Sequence, residues 1–315
     1  MLLRVIPCLL LLAAAPAVRA TERVERLDFP APSGVSLKLD TYRGGIDVRD
    51  SADGQIHVEI HEDPGTDEPA EMARILSGLR LERKREGALI SVVIRNPDET
   101  GARFVWEENR KINLSYAIRV PQACNLDLAT NDGGVSVDAP TTIVGRMAVR
   151  ARKGTVFFRF IDGDIAAAVD TGDLVVSRCT GAVNLKAYVG NIRVGTVGGD
   201  ATLRTTNGDI DFQHALGAVN ASAEAGEITL GLPKTFDRDS TVKTDGGAIT
   251  VRIDPAAHCS VQASSVWGRV HTALPFAVES GGGGRKTLVG RLNGGGALLM
   301  LHANGGQVRI DAPRI

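Results

Sequence analysis

The sequence predicts an all-β chain folded as a single-domain β-solenoid (a β-helix), with about 18 residues per coil in its central part and one short helix in the N-terminal region. Three observations carry that expectation. From Gly145 to Gly226 a glycine recurs every nine positions without a slip. Two and four residues after each of these glycines the side chain is apolar, from Met147/Val149 to Ile228/Leu230, whereas a 43% apolar composition would fill fewer than half of those slots by chance. Between the two apolar residues the side chain is polar in Asn184, Arg193, Thr202, Asp211, Asn220 and Thr229, which is the alternation of a strand with one buried face. Glycine then supplies the turn, since it reaches positive φ without a steric cost.

One strand and its turn cannot bury an apolar face alone, so neighbouring units must stack. Side-chain character matches better at a spacing of 18 than of nine. The line Val156, Leu174, Ile192, Ile210, Ile228 is wholly aliphatic, and Phe158, Val176, Val194, Phe212, Leu230 runs beside it. Two nine-residue units are therefore expected to make one coil, with stacked coils about 4.8 Å apart.

Residues 1–20 carry the marks of a secretory signal: Arg4, an apolar run through Ala15, then Val18-Arg19-Ala20 before Thr21. The run is too short for a membrane span, and no later stretch is long and apolar enough for one. Cys8 lies in Ile6-Pro7-Cys8, without the small residues that precede a lipidated cysteine. Loss of Arg4 and Arg19 with the signal would take the formal charge from −1 to −3. That near-neutral balance argues against a nucleic-acid or anionic-membrane partner. The expected location is outside the cytoplasm, in the periplasm or at the cell surface.

Residues 21–121 form a β-rich N-terminal portion of the solenoid. Val35, Leu37 and Leu39 alternate, Gly44-Gly45 turns, Ile46 and Val48 follow, and Ile56, Val58 and Ile60 add a third strand. The helix is expected over 66–79, where Thr66 can cap, Pro69 sits early, and Met72, Ile75, Leu76 and Leu79 share a face. A strand pair follows over 79–83 and 89–94, turning at Glu86-Gly87. Residues 95–111 read as a charged loop, and a strand over 112–120 ends at Pro121. Residues 122–315 are solenoid repeats. After Gly226 the strict period breaks, with longer connectors near 233–240, 255–260 and 281–286, yet strand–glycine–strand units persist to Val308 and Ile310. Such insertions map to loops, where solenoids often make their contacts.

The unit Thr41-Tyr42-Arg43-Gly44-Gly45-Ile46-Asp47-Val48, the strand closing at Val120-Pro121, and the repeats Thr205-Thr206-Asn207-Gly208-Asp209-Ile210-Asp211-Phe212 and Thr244-Asp245-Gly246-Gly247-Ala248-Ile249-Thr250-Val251 carry a family resemblance. The layout resembles the bacterial exported β-strand-repeat family described as domain of unknown function 4097, the putative adhesins. The resemblance covers nearly the whole chain after the signal. It implies a non-enzymatic scaffold or adhesin-like surface and supplies no catalytic residues.

No constellation in the sequence outweighs its structural reading. Calcium-binding β-rolls repeat Gly-Gly-x-Gly-x-Asp, whereas these units carry one glycine and no fixed Gly-x-Asp, so the line Asp173, Asn191, Asp209, Glu227 reads as turn residues. Cys124, Cys179 and Cys259 are expected to be buried, unpaired thiols, the first two lying roughly three coils or about 14 Å apart. Of His57, His61, His214, His258, His271 and His302, only the first two have ligand-like spacing, and on a strand four residues span about 13 Å, too far for one ion. Ser280-Gly281-Gly282-Gly283-Gly284-Arg285-Lys286-Thr287 lacks the glycine and the following helix of a phosphate-binding loop, and Gly294-Gly295-Gly296 is similar loop material. A polysaccharide lyase or hydrolase on the coil would need acids and bases in one groove. Lys186, Arg204 and Asp170 are its nearest candidates, and they are what any solvated face shows. Phe157, Phe104 and Trp106 are the aromatic candidates for a ligand. The sequence thus predicts no catalytic, cofactor-binding or metal-binding residue. The expected partner is an envelope or extracellular protein or polysaccharide.

Overall fold

The computed structural model describes residues 23–32, 34–63, 68, 70, 77–95, 113–281 and 285–313. The predicted signal segment and most of the 95–111 loop, with Phe104 and Trp106, lie outside the described residues. So does most of 66–79; Ala70 and Ser77 are helical there, and no helical element is described.

The described strands form two sheets of fourteen strands each. We call sheet I the one containing Val156–Asp162 and sheet II the one containing Met147–Lys153. In the central part the chain crosses alternately between them. In sheet I, Val156 pairs with Leu174, Leu174 with Ile192, Ile192 with Ile210 and Ile210 with Ile228, all in parallel. In sheet II, Met147, Ile165, Val183, Ala201 and Val219 pair in the same way. The inward residues of both sheets join one continuous apolar cluster, in which Leu174, Ile192, Leu185 and Leu203 are wholly buried.

Glycine holds the turns for two different reasons. At the turns from sheet II to sheet I, Gly154, Gly172, Gly190, Gly208 and Gly226 have φ between 125° and 152°, a region that L side chains rarely adopt. At the opposite turns Gly145 and Gly163 also have positive φ, but Gly181, Gly199 and Gly217 do not, contrary to the expectation that every glycine serves conformation. There the constraint is close approach: a Cβ on Gly199 would lie 2.6 Å from the carbonyl carbon of Gly181, one coil earlier.

Side chains tie the coils together at these turns. Asp164, Asp173, Asn191, Asp200 and Asp209 each accept a backbone N–H from the next coil through Oδ1, at 2.8–3.0 Å. The buried Thr205 and Thr244 hydroxyls donate to the Gly190 and Gly226 carbonyls. The turns thereby satisfy backbone groups that the ladders leave over.

Chain order and stacking order part company at both ends. Gly45–Asp50 pairs directly with Val135–Val137, while Asn113–Val120 lies on its other side. At the far end Ala297–Ala303 inserts between Ser240–Thr244 and Cys259–Ser265. Likewise Val308–Asp311 inserts between Ile249–Ile253 and Val270–Thr272. The last repeat in sequence is thus not the last in space. The outermost strands of sheet II are poor templates for pairing: Arg80–Glu86 is charged everywhere except Leu81, and Ala277–Gly281 carries a register shift beside Glu279.

Candidate functional site

A concavity of about 590 Å³ forms a trough on the outer face of sheet I near its N-terminal end. Its origin can be followed in the residue after each glycine of the sheet II to sheet I turn column. From Val156 onward that position carries a side chain: Thr155, Asp173, Asn191, Asp209, Glu227, Ala248. In the two coils before, it is Gly45 and Gly134, so the floor there is backbone. Neighbouring outward positions are also small: Ser115, Ala117 and Ser136.

Register fixes what surrounds the floor. His61 stands opposite Ser115, Ser115 opposite Gly45, and Ile46 opposite Val135. One line further along the strands, Ala117, Asp47, Ser136 and Phe157 follow one another across adjacent strands. Phe157 is half-buried, points outward as the alternation requires, and forms one wall. Asp47 presents its carboxylate beside Ser136, with Oδ2 accepting from Arg49 Nε at 2.9 Å. His61 closes the opposite side, its Nε2 3.8 Å from a Glu59 carboxylate oxygen. The site therefore offers hydroxyls of Ser115, Ser136 and Thr155, one carboxylate and one aromatic wall.

A second cavity of about 510 Å³ lies on sheet I nearer the C-terminus, lined by His214, Lys234, Arg252 and Asp254 among others. A third, about 200 Å³, holds Glu62 among Ile60, Leu79, Leu81, Ile94 and Leu114. Burial raises the Glu62 carboxyl above its ordinary pKa, opposed by Arg23, whose Nε lies 3.4 Å from Oε2 without hydrogen-bond alignment.

The side chains singled out in the sequence are accounted for in structural terms. Asp173 and Asp209 accept ladder hydrogen bonds, and Asp173 also pairs with Arg193 at 2.8 Å. Lys186 and Arg204 are neighbours on the outer face of sheet II, with Asp170 on the adjacent strand toward the turn. Cys124, Cys179 and Cys259 are buried and unpaired. Burial pushes their thiols up, to about 12 at Cys124 and about 11 at the other two, so thiolate chemistry is suppressed. His57 binds Asp28 through Nδ1 at 2.6 Å and Asp53 through Nε2 at 3.0 Å; these bonds raise its pKa, and it clamps the first strand to a turn. His302 bridges Ser264 and Asn304. Among the described residues, no three His, Cys, Asp or Glu side chains gather as a metal site would require.

Sequence reasoning singled out Phe157 but missed Gly45, Asp47, Ser115 and Ser136. The available signal was the doubled glycine at Gly44-Gly45 and Gly133-Gly134, where the strict repeat has one.

An open, two-sheet β-solenoid with a shallow trough on one outer face and no gathered metal-ligating set among its described residues defines the class of protein. The Toastrack DUF4097 family model matches residues 36–311, and the chain belongs to that family. Several solved structures are similar to it. A crystal structure described as a putative adhesin from Bacteroides fragilis is 14% identical, covering 92% of this chain and 97% of its own, at a TM-score of 0.40. One described as a putative lipid binding protein from Parabacteroides distasonis is 12% identical over 92% and 97%, also at 0.40. A putative adhesin from Parabacteroides merdae is 10% identical over 91% and 96%, at 0.36. No curated protein matches the chain significantly.

Proposed function

We propose that the protein is a non-enzymatic, exported scaffold of stacked 18-residue coils that presents an adhesin-like binding surface at the bacterial cell envelope. The observation that carries this reading is where the chemically capable side chains go. The turn carboxylates are engaged in inter-coil hydrogen bonds, the thiols are buried, and His57 is held between two aspartates. The recess over Gly45 and Gly134 is open and shallow, suited to contact rather than to enclosing a reaction. The Arg4–Ala20 signal pattern supports export.

The test has two arms. Tagged full-length chain is expressed in the source bacterium and the cells are fractionated; recovery outside the cytoplasm with loss of the first twenty or so residues is expected. Purified mature protein is then incubated with envelope fragments and with a polysaccharide panel. Co-sedimentation without depolymerisation supports the reading. Cytoplasmic retention, or release of oligosaccharides with turnover, refutes it.

A further inference from the structure

We infer that the sheet I trough is a carbohydrate subsite that takes a neutral pyranose ring against Phe157. The inference rests on the binding-surface reading above and names the ligand class that the trough suits.

Four features of the recess converge on that ligand. First, the trough is made by the absence of side chains at two stacked positions, Gly45 and Gly134, whereas the same column carries side chains from Thr155 onward. Close packing does not impose this at Gly45: a Cβ there would meet nothing nearer than the Gly134 carbonyl oxygen at 3.8 Å, and its φ is not positive. An alanine or larger residue would fit the fold and fill the recess, so the glycine matters for the recess and not for the turn.

Second, one wall is aromatic and the floor is not. Phe157 is half-buried between Ser136 and Val175, which fixes its place on the sheet. From Phe157 to Asp47 is two strand spacings, about 10 Å, room for one six-membered ring lying over Ser136. A pyranose presents a C–H face that packs on an aromatic ring and a rim of hydroxyls that needs partners of both kinds. Serine and threonine hydroxyls donate and accept, while a carboxylate accepts only. Ser136, Ser115, Thr155 and Asp47 supply that mixture.

Third, charge disfavours an anionic ligand. The cations beside the recess are already engaged with its carboxylates: Arg49 donates to Asp47 at 2.9 Å, Arg26 to Glu59 at 3.1 Å, and His61 stands 3.8 Å from Glu59. A phosphate or uronate would enter next to carboxylates.

Fourth, the recess is open and shallow, with Ala117 and Phe157 as its apolar outward side chains. An acyl chain needs an enclosed slot, which this open recess does not provide.

The experiment is affinity electrophoresis of the full mature chain in native gels containing dextran, mannan, xylan, galactan or laminarin, with polygalacturonate as the charged comparison. The variants are Phe157→Ala, Gly45→Gln and, on the opposite sheet, Arg204→Gln. Melting curves are recorded for each to confirm folding. Retardation of the wild type by at least one neutral polysaccharide is expected. Phe157→Ala and Gly45→Gln should each weaken it on the order of tenfold, from the lost stacking area and from the filled recess respectively, while Arg204→Gln should match the wild type. No retardation by any neutral polymer, a preference for polygalacturonate, or equal retardation of the trough variants would overturn the inference. Co-sedimentation with envelope fragments separates the two levels. If the wild type and Phe157→Ala sediment equally, the trough assignment fails and the binding-surface reading stands. If the wild type does not sediment at all, both fail.

Discussion

Gly190→Ala and Gly45→Ala make the same chemical change at two turns of the same kind and should have opposite consequences. Gly190 has φ of 150°, and a Cβ placed on it would lie 1.9 Å from the Gly172 carbonyl oxygen. The neighbour is backbone, fixed in the ladder by Gly172 N donating to Val189 O at 2.8 Å; Gly190 is held likewise, its N donating to Asn207 O at 2.8 Å and its carbonyl accepting from Thr205 at 3.0 Å. The side chain cannot be accommodated by rotamer adjustment, so the coils must separate locally. The forbidden backbone region costs about 1–3 kcal/mol. Loosening one or two of the adjoining hydrogen bonds costs roughly another 1 kcal/mol each. The expected loss is about 2–5 kcal/mol, which for a chain of this size corresponds to a fall in Tm on the order of 10 °C. At Gly45 the nearest atom is 3.8 Å away and φ is not positive, so alanine should be neutral or stabilise by up to about 1 kcal/mol through the unfolded chain. Thermal and urea unfolding followed by circular dichroism measure both. Similar melting points for the two variants would show that the glycine column does not set coil spacing.

Three further outcomes follow from the core, the clamp and the turns. Ile192 is wholly buried between Leu174 and Ile210, so Ile192→Ala should cost about 2–5 kcal/mol, whereas Arg193→Gln, which loses an exposed ion pair to Asp173, should cost under about 1 kcal/mol in the same urea titrations. His57 has a raised pKa from its bonds to Asp28 and Asp53, and Asp53 is held well below the usual carboxylate range by Ser51, the Gln55 amide and His57. The histidine's contribution is complete below its unfolded value near 6.5 and is lost as pH rises through its higher folded value; the aspartate's is present above about 4 and lost in acid. The difference in Tm between wild type and His57→Ala should therefore peak at about pH 4–6.5 and shrink by pH 9, and a flat difference would contradict the clamp. Excess chelator should leave the β signal and the melting transition unchanged, because Asp164, Asp173, Asp200 and Asp209 each accept an N–H from the next coil and need no cation between them; loss of the transition would reverse that account.

What was legible in the sequence was the inward-facing set. Period-two alternation places Ile192 and Val194 inside and Arg193 outside whatever the neighbouring strand, and glycine at fixed offsets marks where each strand must end. Partner choice was less legible. Alternation states which face a strand buries and says nothing about which edge it joins once the connectors lengthen. The unit Leu299/Leu301 to Val308/Ile310 therefore reads as the last coil, although it stacks between the units at 242–251 and 261–270. The reason for each glycine was also hidden: Gly190 and Gly199 look alike in the repeat and both face the carbonyl of a glycine one coil earlier, yet only Gly190 is also required for its positive φ.

The trough shows the same limit from the functional side. Gly44-Gly45 and Gly133-Gly134 are 89 residues apart in sequence, and nothing local says that they stack. Only the pairing of Ile46 with Val135 makes two doubled glycines into one floor. Once stacked, their roles separate. Gly44 has φ of 114°, and a Cβ on Gly133 would lie 2.3 Å from the Gly44 carbonyl, so the first glycine of each pair belongs to the turn column. The second lies outside that column, and the fold elsewhere accepts Thr155, Asp173, Asn191, Asp209 and Glu227 in its place. Gly134 is held to glycine by close packing, its Cβ position being 2.9 Å from the Thr155 carbonyl oxygen, but Gly45 is not. A residue that the backbone does not require to be glycine, beside an outward Phe157 and three hydroxyls, is best accounted for by the space it leaves.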